Sequence, residues 1–190
     1  RLEYYEIQNH ILEVFTECNV DSFPIDCRKL LEHYGYSIYT YQELSRRSRR
    51  LYDICCSFSK DAFRAGSERI VAYNNAMPKA RGRISLAHEL GHHVLKHQGS
   101  SRRNEIEANY FAGHLLAPRV IIYYSGCQNS SDIAHTFLIS KEAASIAWED
   151  YCRWYRYFCA CNKHLTNLEY RMYAHFCQKS DDPFIQSAKT

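Results

Sequence analysis

His88-Glu89-Leu90-Gly91-His92 restricts this chain more than any other segment. Residues four apart on a helix lie one above the other, so a helix here brings both imidazoles to one metal ion. Glu89, next to the first His, then comes up beside the open position of that metal, where it can take a proton from bound water. The surroundings favour the helix. Ile84, Leu86, Leu90, Val94 and Leu95 supply apolar surface, Pro78 suits a helix start, and Ile84 to His97 reads as one long helix. With ten His in 190 residues, the five-residue pattern arises by chance ~0.04 times, so it suggests a site without proving one. The bland alternative is a charged helix face with coincidental His spacing.

Such a site needs a third protein ligand. The metzincin pattern would place Gly at position 95 and His at position 98, but Leu95 and Gln98 stand there, which excludes that class. His93 points about 100° from His92 on a helical wheel, and His97 would sit over the same helix. Both read as solvent-facing. The following segment, Arg103 to Pro118, offers carboxylates on a second helix capped by Asn104. Glu105 and Asn109 are four apart and share a face, giving one ligand and one neighbour able to hydrogen-bond a ligating His. Glu107 points well away from Glu105, which is the favoured ligand.

The rest of the chain reads as mostly helical with a little sheet. Residues 2–17 repeat apolar positions at helical spacing, and Asp26 can cap a helix over Cys27 to Tyr34 that Gly35 ends. Residues 37–41, 54–58 and 69–73 are strand candidates, with Gly66 in the connection between the last two. From Ser131 onward short helices are expected, with a helix-turn-helix flavour and Ser140 as the second cap. No run of 18 apolar residues exists to span a membrane as a helix. A net charge of +3 does not itself predict nucleic-acid binding, and Arg46 to Arg50 reads as a solvated face. Sixteen Tyr and nine Cys are the unusual features. The cysteines form no CxxC pair, and nothing marks the chain for secretion, so reduced thiols in a cytosol are expected. Cys152, Cys159, Cys161 and Cys177 could form a second metal site, but their spacing fits no common zinc module.

Arg83-Ile-Ser-Leu-Ala-His88-Glu-Leu-Gly-His92, then Glu105-Ile-Glu-Ala-Asn109-Tyr-Phe-Ala and Leu115-Leu-Ala-Pro118, resembles the ImmA/IrrE family of zinc metallopeptidases. The match is specific over about residues 80–118 and weaker over about 20–145. The resemblance implies an α+β fold, a zincin-like metallopeptidase core with a small β-sheet packed on the HExxH helix, followed by a helical C-terminal region. On this reading residues 1–150 form the peptidase domain, with helix-turn-helix-like helices near 131–150, and residues 151–190 a Tyr/Cys-rich helical extension. By the same resemblance His88, His92 and Glu105 would bind Zn2+, Glu89 would be the catalytic base, and Asn109 would stand behind the ligands. His114 replaces the Glu that the family usually carries there.

The implied activity is that of a cytoplasmic zinc endopeptidase that cleaves a regulatory protein of a mobile element or stress regulon, the substrate being a helix-turn-helix repressor. Tyr123, Tyr124, His135 or a tail Tyr could serve the oxyanion. The alternatives are a module that uses the same fold to bind a partner protein or DNA without cleaving, and a toxin/antitoxin-type role. Direct nucleic-acid binding is disfavoured, no membrane role is expected, and the oligomeric state is left open.

Overall fold

The computed structural model describes residues 4–99 and 101–177, the last without its side chain. In chain order the elements are α1 (Tyr4–Glu17), α2 (Cys27–His33), β1 (Ser37–Thr40), α3 (Tyr41–Arg47), α4 (Arg49–Phe58), β2 (Ala62–Ala65), β3 (Ile70–Tyr73), α5 (Lys79–Val94), α6 (Arg102–Leu116), α7 (Arg119–Tyr124), α8 (Ser130–Phe137), α9 (Lys141–Ala160) and α10 (Asn167–Cys177). The fold is α+β and mostly helical, with one three-stranded sheet. Two compact units divide it: Asp26–Ala112, and Arg1–Ile25 together with Gly113–Thr190.

In the Asp26–Ala112 unit the strand order is β1-β3-β2. β3 pairs in parallel with β1, Ser37 opposite Ile70, and antiparallel with β2, Ala62 opposite Tyr73. Val71 and Ala72 are both fully buried. Successive strand residues point to opposite faces, so both faces of the sheet are covered. Ala72 packs with Tyr41, Leu44 and Cys55 from α3 and α4. Val71 is left for the other face, where α5 lies on β2 and β3, and α2 in turn packs on α5. Leu30, Leu31, Leu86 and Leu90 fill that layer, each contributing about 1.5–3 kcal/mol relative to an exposed side chain.

Local chemistry explains most of the boundaries. The Asp26 carboxylate accepts from Arg28 N and Lys29 N and starts α2, and Gly35, at φ +79°, turns the chain out of it. Thr40 and Glu43 form a reciprocal capping box at the start of α3. Residues 54–58 are not a strand. Ser48 caps α4 by accepting from Leu51 N, and Tyr52, Cys55 and Cys56 pack inward at helical spacing. A five-residue apolar run cannot by itself distinguish a strand from a buried helix face. The strand lies further on, in Ala62-Phe-Arg-Ala65, within a stretch expected to be only a connection. Arg46, Arg47, Arg49 and Arg50 are exposed at the junction of α3 and α4.

The other unit is helical and aromatic. Phe15, Phe23, Phe137 and Phe176 meet with ring centroids 5.0–6.2 Å apart. Trp154 stacks on Phe158 at 4.9 Å and Tyr124 on Tyr173 at 4.0 Å. α8 and α9 pack together across a tight turn, where Leu138 is left-handed and the Ser140 hydroxyl caps α9 through Ala143 N. Tyr151, Trp154, Phe158 and Met172 are buried core residues, so much of the Tyr/Cys-rich segment is packed interior. Positions 178–190 of the expected extension, and the Cys177 thiol, lie outside the described residues. No disulfide occurs among the described residues; Cys27, Cys55, Cys127 and Cys152 carry free thiols. No helix there is long and apolar enough to cross a membrane.

Candidate metal centre

α5 and α6 carry the site. They approach closely at Gly91, where a Cβ would lie 3.0 Å from Phe111 Cδ1 and 3.3 Å from the Ala108 backbone. That absence of a side chain brings the face of α6 bearing Glu105 against His88 and His92. His88 Nε2 and His92 Nε2 are 3.0 Å apart. One Glu105 oxygen is 3.2 Å from His88 Nε2, and the other is 3.5 Å from His92 Nε2. Among the described residues these three are the one His/Cys/Asp/Glu group whose donor atoms converge as metal ligands would. Tetrahedral ligands about 2.1 Å from a zinc ion stand about 3.4 Å from one another, a spacing the three separations bracket. Two neutral imidazole nitrogens and a carboxylate in such proximity form an electron-rich set that suits a borderline cation.

Each imidazole is held from behind. His88 Nδ1 lies 2.9 Å from Asn109 Oδ1. An amide oxygen only accepts, so His88 carries its proton on Nδ1 and turns an Nε2 lone pair inward. Asn109 reaches His88 from α6, four residues after Glu105. His92 Nδ1 lies 3.0 Å from His97 Nδ1. This neighbour went unrecognised in the sequence. α5 stops at Val94 and not at His97, and the chain folds back to leave the His97 side chain only 5% exposed. His93 is also not solvent-facing: it is half-buried, with Nδ1 3.1 Å from the Tyr36 hydroxyl. Burial, with Arg69 and Arg64 nearby, pulls its pKa down. Glu107 is buried and bonds His97 and Arg103. Asn104 does not cap α6. Ser101 does, accepting from Asn104 N, while the Asn104 amide donates to the Gly99 carbonyl.

Glu89 lines the same cleft of about 750 Å3 as His88, His92, Glu105 and Asn109. Burial pushes its pKa up to about 7, against the pull of Arg64 and with a further push from Glu105. Arg64, on β2, holds its Nε 3.9 Å from a Glu89 oxygen and donates from Nη1 to the Tyr36 hydroxyl. Burial and the neighbouring His88 drive His92 down to about 4, so it stays neutral at physiological pH. Phe58 and Phe63 stack at 5.1 Å along the cleft wall.

Residues 56–149 match the family model of the M78 peptidases described as an IrrE N-terminal-like domain. That segment is similar to the M78 peptidases. The match agrees with the resemblance read from the two helical motifs. No curated protein matches the chain. The M78 segment includes β2, β3, α5 and α6, and so holds every residue of the convergent cluster. It also reaches the α8–α9 pair. In the aromatic unit His114 bonds Asp150 at 3.0 Å, and Arg119 and Arg153 hold the same carboxylate. Burial would raise the pKa of Asp150, but the His114 and arginine contacts outweigh it and lower it. Tyr123 and Tyr124 are engaged with other aromatic rings and His135 is exposed in α8, all in that unit. Among the described residues lining the cleft, Arg64 is the one arginine or lysine.

Proposed function

We propose that this chain is a zinc-dependent endopeptidase with a zincin-like core, acting in the cytoplasm on a helix-turn-helix repressor. The observation that carries the reading is the meeting of His88 Nε2, His92 Nε2 and the Glu105 carboxylate in a cleft that also holds Glu89. His88, His92 and Glu105 would hold the metal, which supplies Lewis-acid polarisation of the scissile carbonyl and a water of lowered pKa. Glu89 accepts the proton of the attacking water on its carboxylate and passes it to the departing amine. A pKa near 7 suits a group that must take and then give a proton at neutral pH. Arg64 faces Glu89 and draws it towards the ionised form that accepts. Asn109 fixes the ring of His88. The open cleft, walled by Phe58 and Phe63, admits an extended chain.

The test is co-expression with a helix-turn-helix repressor encoded beside the gene. Wild type should cut it, and 1,10-phenanthroline should stop the cutting. Glu89→Gln should retain zinc and leave the repressor intact. If Glu89→Gln relieves repression as well as wild type does, proteolysis is not the mechanism, and a partner-binding module takes its place.

A further inference from the structure

His97 has no role in the chemistry above, yet its side chain is less exposed than that of either histidine of the cluster. The end of α5 explains how it gets there. Leu95 N donates to Gly91 O at 2.9 Å, Lys96 N to His93 O at 3.1 Å and His97 N to His92 O at 3.0 Å. Lys96 adopts the left-handed conformation, φ +55°. This is a Schellman turn, in which the second residue past the cap is tied back to the third residue before it. Those two residues are His97 and His92. The turn therefore brings the two residues together, and their rings meet with centroids 5.1 Å apart and planes at 74°.

The protons in this contact can be counted. Arg103 Nε donates to Glu107 Oε1 at 2.8 Å, and His97 Nε2 lies 3.2 Å from Glu107 Oε2. A carboxylate held by an arginine only accepts, so the His97 proton is on Nε2. When His97 is neutral it has one N–H, which leaves its Nδ1 a bare lone pair. Its neighbour at 3.0 Å, His92 Nδ1, must then be the donor. The other His92 nitrogen, Nε2, is left as a lone pair aimed at His88 and Glu105. A neutral His97 with its proton on Nδ1 would instead set the Nε2 lone pair against the Glu107 carboxylate.

We propose that Arg103, Glu107 and His97 form a positioning relay that fixes His92 as its Nδ1–H tautomer and presents Nε2 to the metal. The proposal rests on the metal-site reading. His97 does not touch the metal; it acts through His92 as Asn109 acts through His88. A carboxylate behind a ligating histidine is a general device; here a second histidine is interposed. The sequence hides this because the carboxylate, Glu107, lies on the side of α6 turned from Glu105.

The test uses the full chain, 15N-labelled and metal-free, with zinc alone as probe. Long-range 1H–15N spectra should show His92 protonated on Nδ1 in wild type and divided between tautomers in His97→Leu. Zinc affinity, measured by competition with a chromophoric chelator, should fall about 10- to 100-fold in His97→Leu. It should largely return in His97→Gln, whose amide oxygen can still accept from His92. Glu107→Gln, which keeps the shape of the network, gives a second reading should His97→Leu fail to fold, and should mix the His92 tautomers likewise. A folded His97→Leu with wild-type zinc affinity, or a wild type whose His92 is protonated on Nε2, overturns the relay. A wild type that takes up no zinc overturns the metal site instead, while the tautomer spectra of the metal-free chain still decide the relay.

Discussion

Replacing Gly91 by Ala sets two known effects against each other. In a free helix the change stabilises by about 1 kcal/mol, because alanine has less backbone freedom to lose. Here the new methyl would stand 3.0 Å from Phe111 Cδ1 and 3.3 Å from both Cα and O of Ala108. Phe111 can tilt, but the Ala108 contacts are backbone and yield only if α6 moves by a few tenths of an ångström. Overpacking of this kind costs about 1–3 kcal/mol. The net expectation is a loss of about 1 kcal/mol. The displacement would also be felt at the site, since Glu105 lies one turn before Ala108 on the same helix. Its oxygens, 3.2 and 3.5 Å from the imidazoles, would draw back. Urea unfolding of the metal-free chain reads the first effect, and chelator competition for zinc the second, expected as a loss of about tenfold. A Gly91→Ala chain that is stabilised and binds zinc as tightly as wild type would refute the claim that this glycine sets the spacing of the helices.

Glu105→Gln should strip zinc from the purified protein while Glu89→Gln keeps it, as elemental analysis would show; equal loss in both would place Glu89 among the ligands. The two also differ in pH dependence. In the metal-free fold Glu89 keeps its proton to about pH 7 while the unfolded chain releases it near 4.5, so its contribution to stability falls as pH rises between those values. His92 refuses a proton until about pH 4, where the unfolded chain takes one near 6.5, so its contribution rises over that interval. The two largely cancel in wild type. Unfolding free energies of metal-free Glu89→Gln from urea titrations should therefore climb from pH 4.5 to 6.5 more steeply than those of wild type, the gap reaching about 3 kcal/mol above pH 7. Parallel curves would contradict the burial of Glu89. Thr40→Ala removes one half of the capping box on α3 and should cost about 1 kcal/mol in the same assay.

What could be read from the sequence was whatever depends on spacing within one helix. His88 and His92 four apart, and Glu105 and Asn109 four apart, define faces without knowledge of anything else, and the structure brings those two faces together. The outer contacts were hidden because they depend on where a helix stops. Lys96 stands where a glycine would have signalled a helix end, so α5 read through to His97, which then fell on its surface. Ala62 to Ala65 was missed because two alanines and an arginine carry almost no strand signal. They form a strand because β3 offers them an edge.

The Schellman turn also gives chain length a meaning at this site. The number of residues from His92 to His97 is fixed by hydrogen bonds, so an inserted or deleted residue there would change which side chain lies on His92. Beyond His97 the backbone bonds of the turn end, and the Asn104 amide holds the Gly99 carbonyl instead. The exposed residues Gln98 and Gly99 lead to Ser101, which begins α6 by its own hydroxyl. A change in chain length should accordingly be tolerated better after His97 than between His92 and His97, where it would move a different side chain onto His92.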